Sequence, residues 1–148
     1  MHTRQFGKNG PLVGAIGIGC WSFAGAYGST TEKESHDLLA RALDCGANHW
    51  DTADTYGHGA SEEVIGRYLR GRRDAAIMLA TKGGIKRRPG TTERSFDSSP
   101  EYLRSALEAS LKRLGRDHVD LYYVHRREPT RPVEEIAGVQ PCELVCEV

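Results

Sequence analysis

The sequence lacks the features that mark several large classes of protein. Its 148 residues carry 20 basic and 20 acidic side chains, so no net charge favours nucleic acid or an anionic membrane as a partner. No apolar run approaches the ~18 residues of a membrane-spanning helix. The N-terminal residues also lack the apolar core of a signal peptide. We therefore expect a cytoplasmic protein with neither nucleic-acid nor membrane partners.

Cysteine is scarce, and its spacing excludes the common structural metal sites. Cys20, Cys45, Cys142 and Cys146 form no C-x-x-C pair and stand at no zinc-finger spacing from histidine. Buried or incidental thiols explain them better, and no metal site is predicted. The one dense basic run, Lys86-Arg87-Arg88, has no interleaved aromatic residues and is interpreted as a solvated loop.

The sequence does contain a fourfold succession of an apolar strand and an amphipathic segment. The predicted strands are 15–20, 48–51, 77–81 and 119–124, and a turn at 8–10 predicts a small hairpin before them. Helix starts follow the first three strands. They are marked by a capping box at Thr31 and Glu34, by acids in a first turn at Ser61-Glu62-Glu63, and by Ser99-Pro100. Nearly continuous apolar strands alternating with helices predict parallel βαβ units.

Two architectures share this alternation, an open doubly wound sheet and a (β/α)₈ barrel. The open dinucleotide-binding sheet is normally marked by G-x-G-x-x-G after its first strand. Gly14, Gly17 and Gly19 stand in the wrong order and inside the strand. We therefore predict an α/β fold of (β/α)₈ barrel type, as a single domain over residues 1–148 whose tail, 139–148, diverges.

In a barrel, reactive groups lie at the C-terminal ends of the strands. Those ends carry Asp51, Lys82 and His125, and Tyr56 lies in the loop that Asp51 begins. Taken singly, each has an ordinary explanation: a turn cap, a lysine reaching for solvent, a core histidine and a half-buried aromatic. Their joint placement on one rim favours a functional site.

This set of side chains suits proton transfer. A free tyrosine holds its proton up to about pH 10, and a neighbouring ammonium group stabilises the phenolate. Lys82 supplies that ammonium, Asp51 holds it in place, and His125 orients a substrate oxygen. Together these side chains would provide a proton donor that faces a polarised carbonyl group. No nucleophile stands beside a base, which disfavours acyl transfer.

Four stretches of the sequence resemble the aldo-keto reductases: "GIGCW" (17–21), "DTADTYGHGASEEVIG" (51–66), "LATKGG" (79–84) and "VDLYYVHR" (119–126). The overlapping stretch "YYVHRREP" (122–129) is most similar to the subset that contains pyridoxal and aryl-alcohol reductases and the potassium-channel β subunits. The resemblance implies that NADPH delivers hydride to an aldehyde or ketone, with Tyr56 as the proton donor. It implies a catalytic tetrad of Asp51, Tyr56, Lys82 and His125. It implies cofactor contacts by Gly19, Cys20, Trp21 and Asp51.

The length bears on what the chain does. A complete barrel of this type takes ~250 residues, so we expect about the first four βα units, a truncated barrel. Two functions are compatible with that: a carbonyl reductase, or alternatively a non-catalytic half-barrel that serves as an interaction module or remnant. A half-barrel has open strand edges, which predict a homodimer formed through them.

Overall fold

The computed structural model describes residues 1–72, 76–87 and 93–137. The predicted tail at 139–148, with Cys142 and Cys146, and the third residue of the basic run, Arg88, lie outside this range. In chain order the elements are β1 (Thr3–Gln5), β2 (Leu12–Gly14), β3 (Ile18–Gly19), a 3₁₀ helix (Cys20–Ala24), α1 (Glu32–Asp44), β4 (His49–Asp51), α2 (Ala60–Leu69), β5 (Met78–Gly83), β6 (Ile85–Arg87), β7 (Arg94–Phe96), α3 (Pro100–Leu114), β8 (Leu121–Val124) and α4 (Val133–Ala137).

The centre of the fold is a four-stranded parallel sheet in the order β3-β4-β5-β8. The register pairs Gly19 with Asp51, Asp51 with Ala80, and Lys82 with Tyr123. All four strands therefore end on the same edge. This is the parallel α/β arrangement that the alternation of strands and helices predicts. The predicted hairpin before the sheet is also present, as the antiparallel pair β1 and β2.

The helices begin where the sequence predicts. Thr31 and Glu34 form both hydrogen bonds of a capping box at α1, and the Ser99 hydroxyl accepts from the Tyr102 N–H at the start of α3. Their apolar faces pack on the sheet, and the core contains Trp50, Ile65 and Leu114, each fully buried.

Three details of the sequence interpretation are wrong. The first strand covers only Ile18–Gly19, because the chain turns into the 3₁₀ helix at Cys20. Leu38, whose spacing with Leu39, Ala42 and Leu43 predicts one core-facing side of α1, is 44% exposed. The stretch after β5, expected to be a loop, contains the antiparallel pair β6 and β7, with a salt bridge of 2.7 Å between Lys86 and Asp97 across it. No helix among the described residues is long and apolar enough to cross a membrane.

Candidate active site

Backbone hydrogen bonds at the carboxyl edge of the sheet bring the predicted residues together. The Thr52 N–H donates to the Ala80 carbonyl at 2.9 Å, and the Asp54 N–H donates to the Lys82 carbonyl at 3.1 Å. The β4–α2 loop is thereby fixed over the end of β5. On the other side of β5, the His125 N–H donates to the Gly83 carbonyl at 2.6 Å. The structure therefore places Asp51, Tyr56, Lys82 and His125 at one site.

The Lys82 ammonium group is the centre of this site. It forms a salt bridge with Asp51, donates a hydrogen bond to the Thr52 carbonyl at 2.9 Å, and lies 3.4 Å from the Tyr56 hydroxyl. The Lys82 side chain is 15% exposed and the Asp51 side chain 32% exposed. The ammonium group thus contacts a carboxylate, a carbonyl and the phenol hydroxyl together.

Aromatic rings hold Tyr56 on two sides. The Trp21 ring stacks on it with centroids 5.8 Å apart, and the His125 ring meets it edge to face at 5.7 Å. Such ring pairs prefer these offset and perpendicular arrangements. The phenol is thus restrained laterally, and its hydroxyl stays near the ammonium group of Lys82.

His125 is set up as a neutral hydrogen-bond donor. Burial lowers its pKa from the usual 6.5, and the positive charge of Lys82 lowers the pKa further. The imidazole is therefore uncharged at neutral pH and carries one N–H. Its Nδ1 atom is buried without a hydrogen-bond partner among the described residues.

The residues predicted to contact a cofactor differ in accessibility. Trp21 is 48% exposed, and a side chain added at Gly19 would meet nothing within 4 Å, so open space adjoins both. Cys20 is fully buried, and burial raises the pKa of its thiol to about 12, with the Asp51 charge adding to the effect. The Cys20 side chain therefore faces the core rather than the rim.

Sequence reasoning missed a second acid in the same loop. Asp54 lines a cavity of about 330 Å³ with Tyr102 and Arg113. Its Oδ1 atom is buried without a hydrogen-bond partner among the described residues. Burial, together with the nearby charge of Glu62, raises the pKa of Asp54 to about 7. Nothing in the local sequence distinguishes Asp54 from a solvated loop acid.

The raised pKa of Asp54 predicts a pH-dependent effect on stability. The folded state keeps this proton up to about pH 7, whereas an unfolded chain loses it near 3.8. The stability from the protonated acid is present below pH 4 and lost as pH rises through 7. Asp54→Asn should therefore stabilise the protein relative to wild type by a margin that grows between pH 4 and 8, to on the order of a few kcal/mol.

Urea unfolding of both proteins at several pH values measures this difference. Asp44→Asn, at an exposed side chain, is the control for the removal of one carboxylate, and its difference from wild type should be small. A constant difference between Asp54→Asn and wild type across the range would contradict the assignment.

Glu62 is the other residue whose burial the sequence interpretation missed. It lies in the acidic first turn of α2, as predicted, and it is fully buried and accepts hydrogen bonds from Thr81 Oγ1 and Arg113 Nε, both at 2.6 Å. A signal was available, since Glu62, Ile65 and Leu69 follow the i, i+3, i+7 spacing of one helix face. That spacing places the acid on the buried face of α2.

Comparisons with known proteins agree with this geometry. Residues 15–140 match the model of the aldo/keto reductase family. The chain is 46% identical over 138 residues to an aldo-keto reductase of Schizosaccharomyces pombe that is named with NADP(+), covering 92% of this chain and 40% of that protein. It is 40% identical to the aldo-keto reductase YhdN of Bacillus subtilis, covering 94% of this chain and 42% of that protein.

Solved structures show the same likeness. An aldo-keto reductase of Bacillus halodurans in its holo form superposes with a TM-score of 0.82 at 34% identity, covering 94% of this chain and 45% of that one. A glycerol dehydrogenase of Gluconobacter oxydans superposes with a TM-score of 0.77 at 29% identity, covering 93% of this chain and 42% of that one.

These matches confirm the predicted (β/α)₈ barrel type, of which the described residues contain about four βα units. The chain spans about 40% of the length of the curated relatives that it matches. With the family model covering most of the sequence and every reported relative in agreement, this chain belongs to the aldo/keto reductase family.

Proposed function

We propose that this chain carries the proton-transfer site of an NADPH-dependent oxidoreductase that reduces aldehydes or ketones to alcohols. The observation that carries the proposal is the position of the Lys82 ammonium group, paired with Asp51 and 3.4 Å from the Tyr56 hydroxyl. The reductase names of its relatives support this reaction class.

In the proposed mechanism, Tyr56 gives its hydroxyl proton to the carbonyl oxygen of the substrate. The ammonium group of Lys82 stabilises the phenolate as it forms, and Asp51 keeps that ammonium group in position. His125, neutral because burial and Lys82 lower its pKa, donates its N–H to the same substrate oxygen. All four roles are electrostatic or proton-transfer roles, which the donors and acceptors present can perform.

The residues at the rim fit the nicotinamide end of NADPH. Open space at Gly19 and the half-exposed Trp21 ring leave room for a flat ring beside the tetrad. A nicotinamide held there would supply the hydride for the carbonyl carbon. Gly19, Trp21 and Asp51 would contact it with accessible atoms, whereas Cys20 would contribute through its backbone.

Three further expectations remain proposals. Residues 1–148 would form one domain with a divergent tail, the protein would be cytoplasmic, and a homodimer would form through the outer strands β3 and β8. The second candidate function is a non-catalytic interaction module. Cofactor binding separates the two functions.

The test is NADPH binding and oxidation by a polypeptide that contains residues 1–148. We expect quenched or shifted NADPH fluorescence on titration, and loss of absorbance at 340 nm when 4-nitrobenzaldehyde is added. Lys82→Met should abolish the absorbance change, because the phenolate loses its counter-charge. Lys33→Met, which alters an exposed lysine paired with Asp37 on α1, should retain it. Absence of binding at high micromolar NADPH would favour the interaction module.

A further inference from the structure

The first turn of α2 contains buried polar side chains, which form hydrogen bonds rather than apolar contacts. Ser61 and Glu62 are both fully buried, although α2 presents apolar side chains such as Ile65 to the same core. Buried polar groups cost free energy unless they are hydrogen-bonded. The identity of their partners therefore indicates what this turn is for.

The partners of Ser61 lie at the ends of two strands. The Ser61 hydroxyl donates to the Cys20 carbonyl at 2.8 Å and shares a hydrogen bond of 2.9 Å with the Thr52 hydroxyl. Thr52 directly follows Asp51, and its carbonyl accepts from the Lys82 ammonium group at 2.9 Å. Ser61 thus fixes Thr52, which adjoins Asp51 in the chain and accepts one hydrogen bond from Lys82.

The partners of Glu62 lie on β5 and α3. Thr81, which directly precedes Lys82, donates its hydroxyl to Glu62 Oε1 at 2.6 Å. Arg113 donates to Glu62 Oε2 at 2.6 Å and also reaches the Ser110 hydroxyl at 3.1 Å. Hydrogen bonds to a charged acceptor are the stronger kind. Alternation along β5 puts the Thr81 side chain on the helix side of the sheet, opposite Lys82.

We propose that Ser61 and Glu62 are positioning residues that set the geometry of the Asp51–Lys82 pair from behind the sheet. Ser61 acts through Thr52 and Glu62 acts through Thr81, so each neighbour of the pair is fixed to one helix turn. Arg113 balances the buried charge of Glu62 and ties that turn to α3. The proposal rests on the proposed function for what Lys82 does, but the geometry that it predicts is testable without turnover.

The test is the rate at which acetic anhydride, added at low concentration, acetylates Lys82 in the folded chain, followed by peptide mass spectrometry. Lys82 reacts slowly while its side chain, 15% exposed, is held by Asp51, Thr52 and Tyr56, because these contacts shield its nitrogen from the reagent. Thr81→Val keeps the shape of the side chain but removes its hydroxyl, and we expect Lys82 to react severalfold faster in it. Thr81→Ser restores the hydroxyl and should restore the slow rate. Exposed Lys33 is the internal reference.

Two further variants keep the result decisive. Leu39→Ala opens a cavity under α1 and controls for a general loss of stability, so its Lys82 rate should match wild type. Ser61→Ala tests the contact through Thr52 and replaces Thr81→Val if that variant fails to fold. It should also increase the acetylation rate of Lys82. Wild-type rates in Thr81→Val and Ser61→Ala, equal rates in Thr81→Ser and Thr81→Val, or equal acceleration by Leu39→Ala would each overturn the proposal. Slow acetylation in a chain that binds no NADPH would refute the proposed function alone.

Discussion

Tyr56→Phe is expected to lower turnover by a factor of ~10² or more, in any polypeptide of this protein that reduces 4-nitrobenzaldehyde with NADPH. The substitution removes one oxygen atom, the one that lies 3.4 Å from the Lys82 ammonium group. The ring stays, so its stacking on Trp21 and its edge contact with His125 persist. The variant therefore keeps the shape of the site and loses the proton donor.

The kinetic pattern should identify the step. A group that acts in the transition state lowers kcat and kcat/KM together, so the affinity for NADPH should remain at the wild-type value. Steady-state rates at 340 nm and a fluorescence titration measure the two quantities separately.

Tyr123→Phe is the matched control for this prediction. Tyr123 lies at the same rim, and its ring centroid is 5.8 Å from the Lys82 nitrogen, but no hydrogen bond joins its hydroxyl to that nitrogen among the described residues. We expect turnover close to wild type. Unchanged turnover in Tyr56→Phe, or a large loss in Tyr123→Phe, would reassign the proton donor.

The second large effect concerns the contact between α2 and α3. Gly66 lies within α2, and a Cβ atom there would fall 2.1 Å from the Arg113 carbonyl oxygen and 3.0 Å from the Leu114 Cα atom. In an isolated helix, alanine is favoured over glycine by ~1 kcal/mol. Here the added methyl group meets backbone, which cannot rotate away, so the helices must separate.

We expect Gly66→Ala to lose stability by on the order of 3 kcal/mol or more, at or above the upper end for overpacked cores. Separation of the helices would also loosen the Arg113–Glu62 pair and the fully buried Leu114. Urea unfolding followed by circular dichroism measures the change. The helix propensity of alanine opposes it, so the sign of the result shows which effect dominates.

Gly19→Ala is the control for this variant. Gly19 has a φ of −82°, which any residue adopts, and an added Cβ atom would meet nothing within 4 Å. Its stability should stay within ~0.5 kcal/mol of wild type. Equal stability of Gly66→Ala and wild type would mean that α2 and α3 pack less closely than described.

Much of the site could be predicted because local rules place its residues. Caps such as Ser99 and the apolar runs of β4 and β5 mark the elements from short stretches of sequence. Parallel strands joined by helices must end on one edge of their sheet. Asp51, Lys82 and His125 therefore meet at that edge whatever the details of packing, and Tyr56 follows from its place in the β4–α2 loop.

The hairpin of β6 and β7 was missed because its signal is not periodic. The residues of β7 are all exposed, so no alternation of apolar and polar side chains marks the strand. Its pairing with β6 is a property of two segments together, supported by the salt bridge between Lys86 and Asp97.

The sequence by itself determined the order of the parallel strands and of α1 to α3, the edge of the sheet where Asp51, Tyr56, Lys82 and His125 meet, and the family of the chain. Only the tertiary structure decided the hydrogen-bond partners of Glu62 and the raised pKa of Asp54. Glu62 finds its cation in Arg113, 51 positions away, and Asp54 has a raised pKa because packing removes it from water near Glu62. The physical reason is that hydrophobic periodicity and helix capping depend on residues a few positions apart. Burial and electrostatic interactions depend on residues that are close in space, however far apart they lie in the sequence. The free energy of a buried acid depends on neighbours that only the folded chain brings together.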